Sequence, residues 1–254
     1  MIEAIVSGKK NTTWWIGCSG FHYKEWKTVF YPEKLPQKKW FEFYSQHFST
    51  LELNVTFYRF PQLSFLQNWY TKSPEGFCFS LKVPKAITHY KQFNDTERML
   101  GDFYATSREG LREKLACVLF QLPERFTFTE ERLGKIIKSV DNSFTNVVEF
   151  RHESWWQQPV YETLARHSIV FCGQSHPKLP DNVVHNQSII YYRFHGVPTL
   201  YLSQYQQKKL QSIIDQMFEA DPLKQVYIYF NNTMGMAGIR NARQTIRLVN
   251  KAEV

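Results

Sequence analysis

Ionisable and amide side chains recur in this chain near the ends of apolar runs, where a folded protein must either hide them or use them. Glu52 and Asn54 stand in TLELNVTFY, Lys82 in FCFSLKV, Gln121 in ACVLFQL, and Glu149 with Arg151 in NVVEFR. Arg193 and His195 stand in SIIYYRFH, and Asn231 closes QVYIYFN. Lys82, Arg151 and Arg193 could clamp a phosphate or carboxylate, the arginines through two parallel N–H donors. Glu149 or His195 could then move a proton, with a pKa set by the neighbouring cations. Glu149, His195 and Lys82 are therefore the candidate catalytic residues. Asn54 and Asn231 could orient substrate hydroxyls. This set suits acid/base chemistry on a small anionic substrate such as a sugar phosphate or nucleotide, with isomerisation, lyase and hydrolytic reactions all open.

A metal centre is the second chemical option. Glu149, His152 and His195 could supply ligands, as could His22 or His89. No HxH or HExxH spacing exists, and the nearby lysine and arginines oppose a divalent cation, so a metal is not favoured. Gly17-Cys18-Ser19-Gly20-Phe21 fits neither GxGxxG nor GxxxxGK[ST], so no nucleotide-cofactor motif is present and the cofactor stays unknown.

These side chains act together only if their runs share one sheet. Eight apolar or alternating runs read as strands: 13–19, 50–58, 77–83, 116–122, 146–151, 168–173, 188–195 and 225–231. Helical patterns lie between them. In 129–140, Leu133, Ile136, Ile137 and Val140 fall on one face, with Thr127 and Glu130 spaced as a capping box. In 203–217, Leu210, Ile213, Ile214 and Met217 repeat the pattern after Ser203 and Gln206. Ile239, Ala242, Ile246 and Val249 line a last helix, and less regular patterns occupy 37–48, 62–72, 102–115 and 159–166. The sixth connection, 174–187, reads as loop. Eight such units in 254 residues predict an α/β fold, a (β/α)8 TIM-type barrel of one domain over 1–254 with its core at about 13–250. A doubly wound open sheet is the alternative, because local pattern does not show closure.

Alternation sorts the strand side chains into two faces. One is apolar: Leu51, Leu53, Val55 and Phe57; Phe77, Phe79, Leu81 and Val83; Val118, Phe120 and Leu122; Val148 and Phe150; Tyr192 and Phe194; Ile228 and Phe230. The other, expected on the barrel axis, holds Glu52, Asn54, Thr56, Tyr58, Ser80, Lys82, Gln121, Glu149, Arg151, Arg193, His195, Tyr227, Tyr229 and Asn231. Barrel interiors are filled mainly by Val, Ile and Leu. So many ionisable groups on one axis must pair with each other, with water or with a ligand. The non-functional alternative is a self-satisfied ion network, with Glu52 and Glu149 neutralising the three cations.

Composition bounds the rest. With 43% hydrophobic residues and 21% charged, the chain is neither disordered nor fibrous. No apolar stretch approaches the ~18 residues of a membrane helix, so no membrane partner is expected. The formal charge of +8 favours anionic partners, with nucleic acid possible alongside a small anion. Phe21, Tyr23, Trp26, Trp155 and Trp156 fall in presumed rim loops where bases or sugars could stack, although plain packing explains them as well. Cys18, Cys78, Cys117 and Cys172 form no CxxC pair and sit in apolar runs, which reads as buried thiols and a cytoplasmic protein.

Seven blocks in order resemble the YecE-like family, the domain of unknown function 72. They are Gly17-Cys18-Ser19-Gly20-Phe21 running to Trp26 and Phe30-Tyr31-Pro32; Asn54-Val55-Thr56-Phe57-Tyr58-Arg59; Lys82-Val83-Pro84-Lys85-Ala86-Ile87-Thr88-His89; and Gln121-Leu122-Pro123. Glu149-Phe150-Arg151-His152 with Ser154-Trp155, Arg193-Phe194-His195-Gly196 and Phe230-Asn231-Asn232-Thr233 complete them, from residue 16 to about 245. The family is similar in fold to TIM barrels, and the resemblance implies no particular activity. Its motif positions here are Asn54, Lys82, Gln121, Glu149, Arg151, His152, Arg193, His195 and Asn231. They make Asn54, Gln121, Arg151, His152, Arg193 and Asn231 the candidate substrate-binding residues. One departure stands out: Gln174 precedes Ser175 after strand six, where relatives place an aspartate.

Overall fold

A computed structural model of the chain describes residues 6–7 and 12–252. Eight parallel strands form the frame: β1 (Thr13–Ser19), β2 (Thr50–Leu53), β3 (Cys78–Lys82), β4 (Leu115–Gln121), β5 (Asn146–Glu149), β6 (Ile169–Ser175), β7 (Ile189–Phe194) and β8 (Gln225–Phe230). Each pairs with the next, and β8 pairs back onto β1 from Thr13↔Gln225 to Cys18↔Phe230, so the sheet closes. The open-sheet alternative is thereby excluded. A two-residue strand, Val6–Ser7, adds antiparallel to the start of β1.

Among the described residues seven α-helices of six or more residues surround the barrel, six between successive strands and the last after β8: α1 (Trp40–Ser45), α2 (Leu63–Lys72), α3 (Glu97–Leu111), α4 (Glu130–Ser139), α5 (Gln158–Arg166), α6 (Gln207–Phe218) and α7 (Ala237–Ala252). The β6–β7 connection has no helix among its described residues, in line with its loop-like sequence. The apolar strand face packs outward against these helices in one continuous core, as alternation requires. A smaller cluster fills the axis: Cys78, Cys117, Leu119, Val147, Val170, Cys172, Tyr191, Tyr227 and Tyr229. Above it the interior turns polar, and Tyr229 Oη links the two layers, 2.6 Å from Thr50 Oγ1 and 2.9 Å from Ser80 Oγ.

Several boundaries differ from the sequence reading. The run 50–58 is not one strand: β2 stops at Leu53 and a short helix spans Val55–Tyr58. Thr56 turns inward, its hydroxyl 3.0 Å from the Leu53 carbonyl and 2.6 Å from that of Lys82. Val55 and Tyr58 consequently point out, 47% and 72% exposed, rather than to helix and axis. Two capping boxes also fail. Thr129, not Thr127, caps α4 by accepting the Arg132 N–H, while Thr127 receives the Arg132 guanidinium. Ser203 instead accepts from the Thr199 N–H, and α6 begins at Gln207 without a side-chain cap. The helix expected at 102–115 runs over 97–111 and ends where Arg112 takes a positive φ of 50°.

Candidate active site at the barrel mouth

Strand register sets the site. Arg193 lies on β7 beside the end of β6, and Glu52 and Glu149 lie at the ends of β2 and β5. All three side chains are fully buried. Arg193 donates from Nη2 to Glu52 Oε1 at 2.6 Å and from Nη1 to Glu149 Oε2. Tyr191 Oη donates to the other Glu52 oxygen at 2.6 Å. Arg151 donates through Nε to Glu149 Oε1 and through Nη2 to His195 Nε2 at 3.1 Å. Two carboxylates and two guanidiniums thus cancel across the axis, which is what burying them requires.

His195 is fully buried, and burial followed by the Arg151 charge hold its pKa well below the usual imidazole value. It is neutral at pH 7. Its Nε2, beside Arg151 Nη2, also lies 3.3 Å from Glu149 Oε1. The Asn231 side-chain nitrogen Nδ2 lies 3.0 Å from Nδ1. Burial pushes the Glu149 carboxyl up, but Arg151 and Arg193 overcome it and hold the pKa well below the carboxylate range. Glu149 is therefore locked as an anion.

Lys82 closes β3 and stands apart from this balance. Its side chain is 9% exposed, and Nζ rests 3.9 Å from the Phe57 ring centroid. Among the described residues no carboxylate comes within salt-bridge distance of it. Burial and the Arg193 charge, with Arg151 adding to them, pull its pKa down to about 7, against the opposing pull of Glu149. Lys114 shows what a structural lysine looks like here: its Nζ donates to Tyr70 O, Ser73 O and Ser73 Oγ at 2.8–2.9 Å.

Around Lys82 the rim is built from β4 and the segment after β3. Gln121 Nε2 donates to Leu122 O at 2.7 Å and lies 3.5 Å from His89 Nε2. His89 sits in a π-helical turn, Ala86–Lys91, followed by Gln92, Phe93 and Asp95 at positive φ. Such turns and strained residues gather at functional sites. Burial and the Lys82 charge take the His89 pKa down to about 4.

The structure thus brings together Lys82, Gln121, Glu149, Arg151, Arg193, His195 and Asn231. It does not join His152 to them: its Nδ1 accepts the Ser154 N–H and caps a short helical turn. Asn54 follows β2, its Oδ1 buried and without a partner among the described residues. Sequence reading counted Glu52 only as a partner in the ion network and left out two other contributors. Tyr191 falls on the axial face by alternation. His176 was hidden because β6 runs two residues past the run read as strand. Its ring lies 5.8 Å from His195, and burial with the Arg151 charge lowers its pKa to about 4. Gln174 is fully buried and donates to Phe150 O at 2.6 Å, leaving Oε1 unpartnered among the described residues, as are Ser175 Oγ and Arg193 Nε.

Other features bear on alternative chemistries. No group of three His, Cys, Asp or Glu among the described residues is placed to hold a metal. Among the described residues no helix is long and apolar enough to cross a membrane. Trp26 and Trp155 have no exposed surface, so these rings pack beneath the loops. Larger hollows lie off the ion cluster, one of about 400 Å³ between α5 and residues 182–186 and one of about 560 Å³ beside Ser175, Tyr205 and Lys208.

Comparison with known proteins agrees with the barrel. Residues 15–254 match the family described as "Protein of unknown function DUF72". The chain is 28% identical over 258 residues to the UPF0759 protein YunF of Bacillus subtilis (strain 168), covering 86% of this chain and 89% of the relative. A crystal structure of a DUF72 family protein from Thermotoga maritima MSB8 superposes with a TM-score of 0.82 at 28% identity, over 95% of this chain and 99% of that one. A second, from Enterococcus faecalis V583, gives 0.77 at 19% identity, over 93% and 95%, and speaks for the fold alone.

Proposed function

The chain belongs to the DUF72 family, and from the chemistry of its barrel mouth we propose that it is an enzyme acting on a small anionic substrate, phosphorylated or carboxylated, by acid/base chemistry. The observation that carries this reading is Lys82. Glu52, Glu149, Arg151 and Arg193 neutralise one another, so Lys82 is the cation left over, at the strand end where barrel enzymes place their sites. A desolvated cation without a counter-ion is an incomplete arrangement, and an anionic ligand completes it.

The residues divide by reach. Lys82 and Gln121 are each 9% exposed, the Arg151 side chain likewise, and His89 and Asn231 are half-buried. These form the face a ligand meets: Lys82 and Arg151 bind the anion, and Gln121 and Asn231 orient it. With an amine near neutrality, Lys82 is also the group best matched to moving a proton at pH 7. Glu149, Arg193 and Glu52 lie behind and fix the geometry of Arg151 and His195. Four free, buried cysteines suit a reducing compartment, and we place the protein in the cytoplasm.

Thermal-shift screening against sugar phosphates, carboxylic acids, oligonucleotides and divalent metals tests the reading. A specific ligand at ~100 times its Kd adds about 2.7 kcal/mol, or about 5–10 °C here. The expected result is a small-anion response lost in Lys82→Met. Silence towards every small anion overturns it. One observation favours a second reading, nucleic-acid binding on the same rim: Lys85 Nζ stands 5.6 Å from the Tyr58 ring and 5.4 Å from the Tyr90 ring, both rings well exposed. A response confined to oligonucleotides, falling steeply with salt, would support it instead.

A further inference from the structure

We propose that Lys82 is a covalent nucleophile whose Nζ forms an iminium with the carbonyl carbon of an aldehyde or ketone substrate that also carries a phosphate or carboxylate. The inference rests on the anionic-substrate reading and adds the substrate's reacting group. Three observations carry it. Lys82 terminates a barrel strand, its Nζ lies against the Phe57 face, and among the described residues it has neither a hydrogen-bond acceptor nor a carboxylate partner. An amine used for structure satisfies its donors, as Lys114 does with three oxygens. The charges facing Lys82 are Arg193 from β7, Glu149 from β5, Arg151 beyond it and Glu52 from β2, with His89 alongside. Both carboxylates are already bound by arginines.

That setting keeps much of the amine unprotonated at pH 7, which is how buried lysines become nucleophiles. The neutral Nζ attacks the carbonyl carbon. An N–C bond forms, the carbonyl π pair moves to oxygen, and the oxygen takes a proton. The nitrogen passes its own surplus proton on, and the hydroxyl of the resulting carbinolamine leaves as water after a second protonation, as the nitrogen lone pair closes the C=N bond. Overall one proton is taken up, one water is released and nothing is oxidised or reduced. Arg151 is placed to hold the substrate's anionic group. The iminium then serves as an electron sink for breaking a bond next to the former carbonyl, and hydrolysis frees the lysine.

Reductive methylation with formaldehyde and cyanoborohydride, mapped lysine by lysine by mass spectrometry, reads the amine without needing the substrate. At pH 7 Lys82 is expected to be methylated at least about tenfold faster than exposed Lys72 or Lys208. Methylation of Lys82 no faster than theirs overturns the proposal. Borohydride trapping with pyruvate, glyoxylate and dihydroxyacetone phosphate follows. One adduct on Lys82, absent in Lys82→Arg, is the supporting result. Adducts only on exposed lysines, or none, overturn the substrate class. Anion binding lost in Lys82→Met without any trapped adduct would sink this inference and leave the anionic-substrate reading standing.

Discussion

Arg193 has no solvent exposure and spends both terminal nitrogens on carboxylates, so the effect of replacing it follows from the charges left behind. Arg193→Met leaves Glu52 buried without a counter-ion and Glu149 with Arg151 alone, a loss expected at about 3–5 kcal/mol. Adding Glu52→Gln to Arg193→Met removes that uncompensated charge and is expected to restore part of the melting temperature. A double variant no more stable than the single one would refute that coupling, which a double-mutant cycle by thermal denaturation reads directly. Lys82 behaves in the opposite sense. Its pKa falls from 10.5 unfolded to about 7 folded, so between those values the unfolded chain holds more protons and stability rises with pH. Lys82→Met lacks this penalty. It should melt above wild type at pH 7, and the gap should narrow steadily towards pH 10; a constant gap would mean that Lys82 is an ordinary solvated lysine. Both side chains were legible in sequence as polar residues out of phase with apolar neighbours. Which one is sealed and which is left over was not, because that depends on pairing across four strands.

The segment after β2 shows where element-level reading runs out. Asn54-Val55-Thr56-Phe57-Tyr58 has the β-branched and aromatic composition of a strand, and alternation continues smoothly from Leu51. Thr56 overrides it by placing its hydroxyl on the carbonyls of Leu53 and Lys82, a contact to the next strand that a local pattern does not contain. Removing that hydroxyl in Thr56→Val leaves two buried carbonyls short of a donor, a loss expected at about 1–3 kcal/mol. Because the Lys82 backbone is held by the same contact, the variant should also weaken small-anion binding although it changes no mouth side chain. Unaltered anion binding in a folded Thr56→Val protein would show that the strand end is held without it. The long amphipathic helices, by contrast, were readable to within a few residues, since their periodicity is intrinsic. Their starts were not, because Thr127 and Thr129 compete for one cap and only the placement of Arg132 decides between them.

At the scale of the whole molecule, eight recurring units fixed the barrel, whereas its closure became visible only in the pairing of β1 with β8. The same separation of local from global applies to charge. The surplus of +8 surrounds a mouth whose paired ions cancel, so two sources attract anions: a diffuse surface field and Lys82. They differ in screening. The surface field fades beyond a Debye length of about 8 Å at physiological ionic strength, while a cation in a desolvated mouth is screened far less. Sulfate keeps its charge across neutral pH, so it separates the two. In ~0.5 M sodium chloride, where the diffuse term is screened further, the melting-temperature rise caused by sulfate should persist in wild type and vanish in Lys82→Met. It should also strengthen as pH falls from 8 to 6, because Lys82 gains its proton through a pKa of about 7 and the protonated form is the one that holds the anion. A sulfate response that sodium chloride abolishes equally in both proteins would assign anion binding to the basic surface and leave the barrel mouth without a ligand of this class.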